Sequence, residues 1–159
     1  MKKLIWMLLL LAPCQVAVAS SDFDMIVTPS ADVKAGEATL NFELKYKGTS
    51  PIMVARSSVP GVQDGAIWIG AEYFPDFGDN FHPCPKPIEN VYIEDGLLGT
   101  MTIQPGQTIT QAVKLSTRYA NLQQILGKCD LVVFWSYKPE LTTGAAERQA
   151  GSVVFPASK

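Results

Sequence analysis

Residues 73–84 gather several side chains that could do chemistry. Asp76, Asp79 and the only histidine, His82, recur at intervals of three, with Asn80 among them. Two carboxylates and an imidazole could wrap around Ca²⁺ or a transition ion. The spacing nevertheless fits neither the calcium loop nor a zinc pattern. A Ser-His-Asp arrangement is open on composition alone, but no serine sits in Gly-x-Ser-x-Gly or another activating context. Glu94 and Asp95 make a weaker carboxylate pair, because adjacent residues on a strand point to opposite faces. No cofactor motif is present, and the readings with a catalytic set or a resident metal rank below a third.

That third reading is binding. Tyr73, Phe74, Phe77 and Phe81 crowd the same stretch as Asp76, Asp79 and His82, and Pro75, Pro83, Pro85 and Pro87 stiffen it. Rigid aromatic rings among polar groups are the material of interface hot spots, and a stiff loop loses little entropy on docking. The competing reading is that the rings fold back as a satellite core.

Something must hold that segment in place. Residues 1–19 read as a secretory signal peptide: Lys2 and Lys3, the apolar run Leu4 to Ala12, then Ala17-Val18-Ala19 before Ser20. A rival reading makes Cys14 a lipidated residue, against which Pro13 stands directly before it. The short apolar run with two lysines points to a bacterial periplasm, and no later segment is apolar for long enough to insert in a membrane. The remainder, 20–159, is about 140 residues, the size of one domain. The chain carries a formal charge of −2, and loses two lysines on processing. With no basic stripe, nucleic acid is not the expected partner. Cys84 and Cys129 remain, and in an oxidising compartment they most simply pair. Such a bridge, closing a long loop, stabilises by roughly 4 kcal/mol on the chain-entropy model.

Cys129 opens the most apolar stretch, Asp130 to Tyr137. Leu131, Val133, Trp135 and Tyr137 share one face, and Val132, Phe134 and Ser136 the other. A strand apolar on both faces is expected to be central and covered twice. Ala38 to Tyr46 is the cleanest amphipathic strand, with Leu40, Phe42, Leu44 and Tyr46 inward and Thr39, Asn41, Glu43 and Lys45 toward water. Further strands are expected at 23–27, ended by Thr28-Pro29-Ser30, and at 52–55, 66–74, 91–93, 97–103, 108–115 and 151–155. Gln104-Pro105-Gly106-Gln107 is a turn. Tyr119, Leu122 and Ile125-Leu126, with Ser116 as a cap and Gly127 as a stop, predict one or two helical turns. Strands of this length with turns between them and no βαβ alternation predict an antiparallel β-sandwich.

From Ile103 onward the order is Pro105-Gly106-Gln107, the strand ending Val113-Lys-Leu-Ser116, Tyr119, Gly127, and the long apolar strand to Tyr137. This resembles the immunoglobulin-like accessory domains of bacterial exported proteins, some of which sit beside secreted metallopeptidases. The resemblance covers about half of the mature chain and implies an all-β, immunoglobulin-like antiparallel β-sandwich with one short helix. No His-Glu-x-x-His is present, so the neighbouring peptidase chemistry is not implied. The antibody order Cys…Trp…Cys also fails, because Trp68 precedes Cys84. The bridge is thus expected to tie the Pro-rich loop to the central strand. A fold does not supply a function. By elimination the expectation is a non-enzymatic inhibitor or immunity-type protein that docks on another exported protein. The alternatives are an accessory module of an envelope assembly, and an enzyme or metal carrier centred on 76–82.

Overall fold

The computed structural model describes residues 22–74, 84–91, 96, 98–143 and 146–158, with the side chains of Asp64, Tyr73 and Phe74 left aside. The expected signal peptide, 1–19, lies outside them. The described residues form eight strands: β1 (Phe23–Asp32), β2 (Glu37–Tyr46), β3 (Ile52–Ala55), β4 (Ile67–Phe74), β5 (Thr100–Ile103), β6 (Thr108–Lys114), β7 (Asp130–Tyr137) and β8 (Gln149–Phe155). All pairings are antiparallel. They assemble as β1-β2-β6, β3-β5 and β4-β7-β8. The chain is therefore all-β.

Strict alternation builds β2. Ala38, Leu40, Phe42, Leu44 and Tyr46 are buried, while Glu37, Asn41, Glu43 and Lys45 are exposed. β2 is the middle strand of its sheet, so one face of a fully paired ladder faces the core and the other water. The β4-β7-β8 sheet supplies the opposing apolar surface from Ile67, Leu131, Val133, Trp135, Tyr137 and Phe155. Both sets belong to one core, and the Phe42 ring meets Trp135 edge-on at 6.2 Å. β3 and β5 add a shorter ribbon. Residues 140–142 run beside β3, with Ala55 N–H bonded to Glu140 O and Thr142 N–H to Met53 O.

Four expectations change. β1 does not stop at Thr28-Pro29-Ser30 but pairs through Pro29↔Leu40 to Asp32↔Glu37. β1 is an edge strand, so a residue without an N–H is tolerated there. Residues 115–126 form no α-helical turn; they contain 3₁₀ turns at Leu115–Thr117 and Leu122–Gln124. Ser116 does not cap the first of them: it lies within the turn, where Thr117 Oγ1 donates to Lys114 O at 2.7 Å. Leu115, Tyr119, Leu122, Ile125 and Leu126 are buried as their spacing predicts, and core contact rather than helix length holds the segment. Val91 is in no strand and is 92% exposed; Tyr92 and Ile93 lie outside the described residues.

The fourth change concerns β7. It is central in its sheet, between β4 and β8, but it is not covered on both faces. Phe134 is 40% exposed, and its neighbours on that outer face include Trp68 at 61% and Val154 at 50%. Among the described residues no layer packs over this face. The strand's second apolar row therefore belongs to the surface.

Candidate functional site

Tyr73 and Phe74 end β4, where their backbones pair with Leu131 and Asp130. Asp76, Phe77, Asp79, Phe81 and His82 lie outside the described residues. Cys84 is joined to Cys129 in a disulfide, with the Cα atoms 6.4 Å apart. The chain thus leaves the ladder opposite Asp130 and is fastened again at Cys129, one residue earlier. Both ends of the aromatic segment are fixed at the start of β7, one to Asp130 and one to the residue before it.

The returning segment is held further. Ile88 N–H donates to Asn121 Oδ1 at 2.9 Å, and Asn121 Nδ2 donates to Lys86 O at 2.8 Å. Ala120 N–H donates to Ile88 O and Asn90 N–H to Arg118 O, at 2.9 and 2.7 Å. Asn121 is buried, and its amide is satisfied on both its donor and acceptor sides. Sequence reasoning missed Asn121 because no pattern marks which polar residue in a turn-rich stretch will be enclosed. Tyr119 is buried, and it pairs with Glu89 of the same segment in an isolated antiparallel bridge. Burial first, and the nearby Glu89 carboxylate second, push its phenol up to about 12. Burial also pushes the Tyr137 phenol up. Both phenols are moved away from neutrality, which disfavours proton transfer at ordinary pH.

The outer face of β4-β7-β8 is the second feature of the site. From one end to the other its rows are Trp68, Ser136, Ala150; then Gly70, Phe134, Ser152; then Glu72, Val132, Val154. The aromatic segment joins at the Glu72 end. Trp68 stands at the far end, about 20 Å along the strand from Phe74. Two hollows flank Trp68, of about 480 and about 300 Å³. Trp68 and Phe134 were legible in the alternation of 66–74 and 130–137. The reading of 130–137 as covered on both faces hid Phe134, and the strand expected at 66–74 was given no inward or outward face.

Among the described residues no three His, Cys, Asp or Glu side chains gather where they could hold a metal ion, and Asp76, Asp79 and His82 lie outside that statement. No helix among the described residues is long and apolar enough to cross a membrane. No family model matches this chain, and no curated protein matches it either.

Proposed function

We propose that this protein is a non-enzymatic binding domain of the bacterial periplasm, an inhibitor or immunity-type protein that docks on another exported protein through residues 73–84. The observation that carries the reading is the double anchorage of that segment at Cys129 and Asp130. A stretch rich in phenylalanine and proline, closed at both ends at the start of a core strand, begins docking with much of its freedom already removed. The disulfide suits an oxidising compartment, and the leader-like residues 1–19 suit export.

The fold of the proposal is an immunoglobulin-like β-sandwich. In its support, the strand orders 1-2-6 and 4-7-8 correspond to the A-B-E and C-F-G orders of that architecture, with β3 as an addition. The bridge runs from the loop after β4 to the start of β7, unlike the inter-sheet bridge of antibody domains.

A photo-crosslinking residue at position 77, in cells, tests the docking surface against a control at Glu43 on the wet face of β2. Capture of a discrete exported protein from 77 and none from 43 is the expected result. The double change Phe77→Ala, Phe81→Ala is expected to abolish that capture without altering the thermal midpoint. Equal capture from both positions moves the surface elsewhere.

A further inference from the structure

Trp68 is the most exposed tryptophan position among the described residues, and it is not merely displayed at an edge. Gly70 follows it on the same face. A Cβ built on Gly70 would lie 2.6, 3.0 and 3.4 Å from three atoms of the Trp68 six-membered ring. The indole therefore lies along the sheet, over the spot that any other residue would fill. The ring covers Gly70, and the residue still keeps 61% of its surface open to solvent. A tryptophan that stood upright would serve as a peg for a pocket on a partner; one that lies down makes a flat platform.

The hollows on either side of the platform have a common chemical character. The larger holds Lys138, Glu140, Arg148 and Ser136, and Arg148 Nη1 donates to Ser136 Oγ at 2.6 Å. The smaller holds Glu89, Asn90, Arg118 and Tyr119. Each mixes carboxylate with guanidinium or ammonium, so neither builds the single-sign field that selects an anion or a cation. Carboxylates accept from hydroxyls, and guanidinium and ammonium groups donate to them. A ligand that fits must have a flat apolar face for the ring and many neutral hydroxyls on either side. Pyranose sugars meet both demands: the axial C–H groups of an all-equatorial ring form an apolar face, and vicinal hydroxyls bridge an acid and a base.

We infer that the Trp68 end of the β4-β7-β8 outer face is a glycan-binding site: a neutral β-linked pyranose chain lies across the indole, with one sugar stacked on the ring and its neighbours in the two hollows. The site is at the opposite end of the sheet from Phe74, where the 73–84 segment leaves it. It stands independently of the docking reading, and together the two would hold a protein ligand close to an envelope polysaccharide.

The test is titration of the purified, disulfide-intact protein with cellotetraose and with chitotetraose at millimolar concentration, followed by tryptophan emission and calorimetry. An emission shift and a saturable heat with at least one of the two are expected. Trp68→Ala is expected to weaken binding by about tenfold or more. Gly70→Ala, which keeps the indole but takes its seat, is expected to weaken it several-fold; it also serves if the first variant folds poorly. Phe77→Ala, Phe81→Ala should bind sugar as the parent does, which separates this site from the docking loop. No response to either sugar, or a response that survives Trp68→Ala, overturns the inference. So does a concentration-dependent dimer in sedimentation that Trp68→Ala abolishes, because a second copy would then cover the face.

Discussion

Tyr137 shows how a residue can be correctly placed by pattern and still carry an unpredicted feature. The alternation of β7 puts its ring inward, and the ring is buried. Its hydroxyl has no hydrogen-bond partner among the described residues. A buried donor left unpaired costs about 1–3 kcal/mol. Tyr137→Phe is therefore expected to be neutral or to stabilise by about 1 kcal/mol, read from the urea midpoint. A clear loss of stability would show that the hydroxyl is bonded through an enclosed water. Tyr119 is buried as well. It bears on alkaline stability. The folded protein keeps the Tyr119 proton up to about 12, whereas the unfolded chain releases it near 10.0. Between those values the folded state binds more protons, so stability falls as pH rises through that window and is unaffected below it. Thermal midpoints measured from pH 9 upward should fall less steeply in Tyr119→Phe than in the parent. Parallel slopes would assign the alkaline loss to Tyr137 or to other groups.

Among the elements, the turn from β1 to β2 is tightly held. Asp32 Oδ1 accepts from Lys34 N–H and Ala35 N–H, both at 3.1 Å, and Gly36 N–H donates to Val33 O. Gly36 has φ +68, and a Cβ there would lie 2.5 Å from Gln123 Cβ. Gly36→Ala therefore meets both a disfavoured backbone region and a neighbour on the 3₁₀ segment. It is expected to destabilise by more than about 1 kcal/mol, checked by denaturant unfolding. The segment 115–126 was only partly legible in the sequence. Its apolar spacing predicts which residues are buried, but not that they sit in two short 3₁₀ turns around a buried amide. Asn121→Ala removes the partners of Ile88 N–H and Lys86 O, at a cost of about 2 kcal/mol. Amide exchange at Ile88 should accelerate well beyond that of β2. Protection at Ile88 equal to the parent's would show that the segment is held by the disulfide alone.

For the molecule as a whole, the Cys84–Cys129 bridge is the longest-range covalent constraint, at a sequence separation of 45. Replacing both cysteines with serine is expected to lower stability by about 2–4 kcal/mol. The β content seen by circular dichroism should persist, because most residues of the core lie on the two three-stranded sheets and not on the bridge. The same change should weaken capture through position 77 while leaving binding of the sugar probes intact. Loss of both together would mean that the bridge supports the entire β4-β7-β8 sheet.

By itself, the amino-acid order determined the all-β class, the inward rows of β2 and β7, the turns and the pairing of the two cysteines. Those are local or combinatorial properties: a period of two, turn residues at fixed offsets, and only two cysteines beyond residues 1–19. Tertiary structure alone decided that Phe134 and Trp68 lie on a surface, that Pro29 is harmless, and that Asn121 is enclosed. Each depends on what packs against a strand from elsewhere in the chain, and a strand that is apolar on both sides does not encode whether a second layer arrives to cover it.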